Sequence, residues 1–291
     1  MTSVGDSPLA LVTGASGFVG RAVVDAAPGP VRVLHHRTPP SSGHPSVHGD
    51  LLDPNADFAA WTHEVGRVLH LARPAAGSGW RRRRVARRTK AATGRFVAHL
   101  QREGLQALAV HGSLSYGDRG EDLVRTSDPV RPTGYAKAYA CGEAPWRDAV
   151  DAGHLALVRA PWVLGAGSWF DMLYAGPTVP VISGGHAWMS IVTTDGLARW
   201  LWTQEEARGV LHPPMLARVR QAAFAETVAE VRGVPTTEVG VPFLTARYGH
   251  DAARSIVASL RLDDGHGDQS EGERARAALR DAVQAVVASR S

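Results

Sequence analysis

An α/β fold with a doubly wound parallel sheet is predicted by three observations. Short apolar runs of strand length alternate with helical segments through the first two thirds of the chain. The first of these runs leads directly into three spaced glycines, and the glycines open a helix. The strand runs are Leu9–Thr13, Val31–His35, Arg67–Leu71, Leu105–His111 and Leu155–Arg159. Between them, apolar periodicity near 3.6 predicts helices over Val19–Ala27, Trp80–Glu103 and Thr133–Ala152, with a short turn near Asp57–Glu64.

After Pro161 the pattern loosens into Gly/Pro-rich segments, with short helices expected near Ser168–Tyr174, Thr194–Glu206 and Gln221–Arg232. The division expected is a dinucleotide-binding core over residues 1–165. A substrate lobe with C-terminal helices follows over 166–291, interleaved with the core as one compact unit. The polar stretch Leu262–Gly272 reads as a loop before a last helix, Glu273–Ser289. Pro145 is expected to break the helix that contains it.

With 291 residues, 44% of them hydrophobic and 21% charged, the chain has enough apolar material for a large core and is neither disordered nor fibrous. It carries no basic leader before an apolar stretch and no run of eighteen apolar residues, so a cytoplasmic protein without a membrane partner is expected. One cysteine, Cys141, excludes an internal disulfide and a cysteine-built zinc site, and no His or carboxylate spacing points to a metal.

In LALVTGASGFVG, Gly14, Gly17 and Gly20 stand between a strand and a helix. Such a turn brings backbone amides and a helix N-terminus to a pyrophosphate, so the segment predicts dinucleotide binding. At the end of the second strand an acidic side chain would hold the ribose hydroxyls of NAD, whereas a cation would neutralise the 2′-phosphate of NADP. Here the residues are His35, His36 and Arg37, with no carboxylate, which favours NADP over NAD with His36 and Arg37 as phosphate contacts. A solvent-facing Arg37 beside a ribose held by backbone is the alternative.

These pieces together resemble the extended short-chain dehydrogenase/reductase family, also called the NAD-dependent epimerase/dehydratase family, over about residues 8–200. Thr13–Gly20 is similar to its fingerprint, Gly49-Asp50-Leu51 to its adenine-contacting GDL, and Leu69–Ala72 to the end of its fourth strand. Ser115-Tyr116-Gly117-Asp118, Tyr135-Ala136-Lys137, Val158–Pro161 and Ile191–Leu197 match further family segments in order. The resemblance implies a Rossmann-type core whose cofactor is held by Thr13, Gly14, Ser16, Gly17, Phe18, Val19, Gly20, Asp50, Leu51, Leu71 and Ala72. It also implies a small-molecule substrate and a homodimer formed through the helices carrying Trp80–Glu103 and Thr133–Ala152.

The family works with an Asn, a Ser or Thr, a Tyr and a Lys, the Tyr moving a proton at the substrate oxygen. Tyr135 matches the tyrosine. Four residues on, on the same helix face, Tyr139 stands where the lysine belongs, and Lys137 is about 200° away around a helix. Gly112 occupies the serine position, with Ser113 one residue late, and Ala91 the asparagine position. Tyr135, Tyr139, Ser113 and His111 are therefore the catalytic candidates. The implied reaction is carbonyl reduction or epimerisation of a ketosugar or polyketide-type molecule. A non-redox cyclase, isomerase or dehydratase and an NADP-sensing binding protein stand as alternatives.

Two more features carry candidates. Trp162, Trp169, Phe170 and Trp188 put aromatic rings on the substrate side, where core packing is the competing explanation. In Trp80–Lys90, arginines 81, 84 and 88, and 83 and 87, form two stripes of a helix. A solvated face or an anion contact accounts for them; no aromatic platform accompanies them, so no nucleic-acid partner is expected.

Overall fold

The computed structural model describes residues 8–37, 39, 43–73, 79–150 and 155–290, the side chains of 79–83 and 268 excepted. Its elements begin β1 (Leu9–Thr13), α1 (Phe18–Asp25), β2 (Val31–His35), β3 (Ser46–His48), α2 (Phe58–Thr62), β4 (Val65–His70), α3 (Gly79–Arg102), β5 (Gln106–Gly112). They continue β6 (Leu123–Val124), α4 (Ala136–Arg147), β7 (Leu155–Ala160), β8 (Trp162–Leu164), α5 (Trp169–Tyr174), β9 (Val179–Ile182), β10 (Trp188–Thr193), α6 (Thr194–Thr203). The last are β11 (Gly209–Leu211), β12 (Ala217–Arg220), α7 (Gln221–Arg232), β13 (Thr236–Val239), α8 (Val241–Tyr248), α9 (His250–Ile256), β14 (Arg261–Leu262) and α10 (Glu273–Ala288).

By contacts the chain divides into two units: residues 1–111, 138–158 and 198–211, and residues 112–137, 159–197 and 212–291. The first unit contains a seven-stranded sheet in the order β11-β7-β5-β4-β1-β2-β3. The pairings β1–β2, β1–β4, β2–β3, β4–β5 and β7–β11 are parallel, and Val12 of β1 lies between Val33 and Leu69. Strands covered on both faces need apolar side chains in both directions, which is why β1 and the Leu155–Val158 part of β7 read as hydrophobic runs. Leu11, Val68, Ala107 and Leu157 are fully buried with Phe96, Leu100 and Trp146. Buried Arg67 of β4 donates to the carbonyls of Leu201 (2.8 Å), Trp202 (3.0 Å) and Gln204 (2.7 Å). It caps the C-terminal end of α6, where carbonyls lack helical partners.

The second unit holds a β12-β10-β8 sheet and two two-stranded pairs, β13-β9 and β14-β6. Its core gathers Phe170, Tyr174, Phe224, Val228, Leu279 and Val283. Two expectations are corrected. Pro145 does not end α4, which runs on to Arg147, because a proline so near the C-terminus removes little of the hydrogen-bond ladder. The stretch Leu262–Gly272 is not a bare loop: His212 Nδ1 lies 2.7 Å from the Asp263 carbonyl, and Glu271 pairs with Arg218 (3.2 Å) and Arg261 (2.7 Å).

Among the described residues no helix is long and apolar enough to cross a membrane, and no group of three His, Cys, Asp or Glu is placed to hold a metal.

Candidate functional site

The glycine turn is fixed by steric necessity. Gly14 adopts φ +73°, and a Cβ there would stand 2.6 Å from the amide nitrogen of Ala72, beyond β4. Gly20 lets α1 press against the turn, since a Cβ on it would meet the Gly14 carbonyl oxygen at 2.1 Å. Between them, the Gly17 N–H closes the turn on the Gly14 carbonyl (2.9 Å). A Cβ on Gly17 would find only that same oxygen within 4 Å, so the space before it is open. Gly17 also N-caps α1 without a side-chain hydrogen bond. The first-turn amides of Phe18, Val19 and Gly20 have no helical acceptor and suit an anion. Ser16 lies exposed beside them. A close backbone cradle, open in front and lined with amides, fits a dinucleotide pyrophosphate.

Thr13 ties this turn to β4. Its carbonyl accepts the Leu71 N–H (3.1 Å), and its hydroxyl accepts the Ala72 N–H (3.2 Å). That hydroxyl also shares a hydrogen bond with Nδ1 of His70 (2.9 Å). His70 stacks on Trp146 (5.4 Å between centroids) and is buried. Burial, with His111 nearby as the smaller cause, holds its pKa down at about 3.

On the other side of β1, the end of β2 exposes His36 and Arg37. Asp50 accepts the Leu52 N–H on Oδ1 (2.9 Å), and its Oδ2 lies 3.6 Å from His36 Nε2. Leu51 packs its side chain into the core with Trp61, so it offers a ligand its backbone alone.

Beyond the carboxyl ends of β4 and β5 lies a small cavity, open to solvent at its mouth. His70, Arg73, Thr89, His111 and Tyr139 supply its polar walls, and Val85, Ala86 and Ala138 apolar ones. The Arg73 guanidinium sits over the Tyr139 ring, 4.1 Å from its centroid. Two of the sequence candidates, His111 and Tyr139, thus share one cavity. The other two belong to the second unit: Ser113 is buried in a 3₁₀ turn, and Tyr135 packs against that unit's core, its amide donating to Ser255 Oγ (3.0 Å). His70 and Arg73 were not foreseen as site residues. Their signal was present, since both flank the Leu71-Ala72 pair at the end of a strand next to β1.

The aromatic candidates are held by the protein itself. Phe170 is a core residue, fully buried against Tyr174 and Phe224, and has no surface for a substrate. Trp169 donates its indole N–H to the Val163 carbonyl (2.7 Å) and meets Trp162 edge-on at 4.6 Å. Trp188 bonds Glu121 (3.0 Å), with Arg220 and Arg261 over its ring at 4.1 and 4.7 Å. In the arginine run, Arg84, Arg87 and Arg88 are exposed, and the side chains of Trp80, Arg81 and Arg83 lie outside the described residues.

The family model described as "NAD dependent epimerase/dehydratase family" matches residues 10–202, spanning the glycine turn, the cavity and α4. The chain belongs to this family. It is a family of NAD-dependent epimerases and dehydratases, and the seven-stranded parallel sheet is Rossmann-like. No curated protein matches the sequence. Among solved structures, a short-chain dehydrogenase/reductase superfamily protein from Agrobacterium tumefaciens with bound NAD is similar at 19% identity. It covers 97% of this chain and 98% of its own, with a TM-score of 0.75. Human epimerase family protein SDR39U1 (isoform 2) with NADPH is similar at 17% identity over 96% of this chain and 99% of its own, TM-score 0.74. The dTDP-glucose 4,6-dehydratase DesIV from Streptomyces venezuelae, with NAD and TYD bound, is similar at 20% identity over 96% of both chains, TM-score 0.69. At these identities the likeness is one of fold.

Proposed function

We propose that this member of the epimerase/dehydratase family is an NADP-dependent enzyme acting on a carbonyl of a small molecule, of ketosugar or polyketide type, by reduction or epimerisation. The observation that carries the proposal is the glycine cradle beside a β2 end that exposes His36 and Arg37 and has no carboxylate of its own. Neighbours of the same fold bind NAD or NADPH, so the cofactor class is common to the fold and the choice of NADP rests on His36 and Arg37.

In this reading Thr13, Gly14, Ser16, Gly17 and the first turn of α1 seat the pyrophosphate, with Asp50 and the backbone of Leu51 on the adenine side. When bound, the nicotinamide exchanges a hydride with the substrate carbon. Tyr135 transfers the balancing proton at the substrate oxygen, with Ser113 as hydrogen-bond donor and with Tyr139 and His111 as helpers. Tyr139 in place of a lysine favours a second reading, a non-redox isomerase, cyclase or dehydratase that orients its substrate beside the dinucleotide. A cytoplasmic location and a homodimer complete the proposal.

Fluorescence titration with NADPH and NADH tests the site; tighter binding of NADPH is expected, and binding of neither overturns the reading. Tyr135→Phe is expected to lower turnover by about 10²-fold or more if the phenol is the acid/base. Unchanged turnover removes Tyr135 from the chemistry and leaves orientation as the mechanism.

A further inference from the structure

We propose that Arg73 is the cation that holds the nicotinamide half of the dinucleotide, a task the family gives to a lysine on the helix after the catalytic tyrosine. The inference rests on the dinucleotide reading above and names a residue for it.

The sheet order fixes which half of the ligand lies where. In β11-β7-β5-β4-β1-β2-β3, the strand order reverses at β1, and a dinucleotide lies across the carboxyl ends of the strands at such a reversal. The adenosine half belongs with β2 and β3, where His36, Arg37 and Asp50 stand. The other half then falls over the carboxyl ends of β4 and β5. The cavity there is lined by His70, Arg73, His111 and Tyr139.

Three features single out Arg73 in that cavity. Its chain position is anchored, because the preceding residue, Ala72, is pressed against Gly14 and bonded to Thr13. Its charge is available: the side chain is exposed, and among the described residues no carboxylate lies within ion-pair distance. Its orientation is supported, because the Tyr139 ring lies under the guanidinium at 4.1 Å. An arginine resting on an aromatic ring keeps the N–H donors at its rim free for ribose and phosphate oxygens. His70 does not compete for an anion, since burial keeps it neutral.

The same geometry gives the missing lysine a physical account. An ammonium at position 139 would face the Arg73 guanidinium as a like charge, whereas a tyrosine offers it a platform. The cation therefore reaches the cavity from the strand end instead of from the helix, and the tyrosine at 139 is the part that makes this work.

The test compares wild type, Arg73→Ala, Arg73→Lys, Tyr139→Ala and Tyr139→Phe by calorimetric titration, with thermal unfolding as the check on folding. The probes are NADPH and adenosine 2′,5′-bisphosphate, which carries the adenosine half alone. Arg73→Ala is expected to weaken NADPH about tenfold, or about 1.4 kcal/mol, and to leave the bisphosphate unchanged. Arg73→Lys restores part of the affinity, because an ammonium keeps the charge and loses the fork. Tyr139→Ala weakens NADPH as Arg73→Ala does, and Tyr139→Phe keeps it, since the ring and not the hydroxyl supports the guanidinium. Equal NADPH affinity in wild type and Arg73→Ala overturns the assignment while the dinucleotide reading stands. An equal loss for both probes also overturns it, by placing Arg73 outside the nicotinamide half. A wild type that binds neither NADPH nor NADH removes both readings together.

Discussion

Between β1 and α1 the backbone is held by what its side chains lack; at the ends of β4, β5 and α4 the cavity is shaped by what its side chains touch. The first region tolerates no Cβ at Gly14 or Gly20, because backbone atoms already occupy those places. The second is walled by side chains, with Tyr139 at the position where the family resemblance leads one to expect a lysine. A backbone cradle answers to one sequence, since nothing can compensate for a clash with a carbonyl oxygen. A side-chain cavity admits exchange, since a cation supplied by one element can be supplied by another. The family signature is accordingly intact in the first region and rewritten in the second.

The most severe break of this comparison is Gly20→Val. With a Cβ 2.1 Å from the Gly14 oxygen, the turn and α1 must separate, at an expected cost of about 3 kcal/mol, and dinucleotide binding goes with it. Gly112→Ala is the control: a Cβ there meets nothing within 4 Å, its φ is −92°, and its expected effect is within about 0.5 kcal/mol. Urea unfolding of both variants checks this, and equal stabilities would show that the turn is not overdetermined.

That contrast also decides what was legible in the sequence. β1 was read to the residue because a strand buried on both faces is an apolar run, and β2 because Val31, Val33 and Leu34 keep a buried apolar set between turn residues. The glycine turn was legible for the same local reason. β9, β10, β12 and β13 were not, because they lie in a stretch interrupted by Gly and Pro, where the regular alternation with helices lapses. The stretch Leu262–Gly272 looks like loop because its order comes from His212 and Arg218, more than forty residues earlier. In the cavity, Tyr139 could be recognised as the wrong residue for a lysine site. Its partner could not, since Arg73 meets it across sixty-six positions of chain and no local pattern records that contact.

The seam between the two regions is the Thr13 hydroxyl, and Thr13→Val opens it at nearly constant volume. The Ala72 N–H loses its side-chain acceptor and the buried His70 Nδ1 its hydrogen-bond partner, so a loss of about 2 kcal/mol is expected. Thr13→Ser, which keeps the hydroxyl, should recover most of it. Were Val and Ser equally stable in denaturant titration, the strand end carrying Arg73 would owe its position to Gly14 packing alone.

His70, on the cavity side of that seam, yields a smaller effect that appears only in acid. Its pKa is lowered from 6.5 to about 3 by burial first and by His111 second. The unfolded chain therefore binds a proton between those values that the folded chain refuses, and stability falls as pH is lowered through this window. Above pH 6.5 both states hold His70 neutral and the group contributes no pH dependence. The slope from this residue is at most about 1.4 kcal/mol per pH unit. In His70→Gln, which has no titrating ring, the loss of stability between pH 6 and 4 should be shallower than in wild type by up to that amount. An identical slope in both proteins would mean that His70 takes up its proton while folded. In that case the imidazolium is accommodated on Trp146 and beside the Thr13 hydroxyl, and the end of β4 is as adaptable in charge as the rest of the cavity is in side chains.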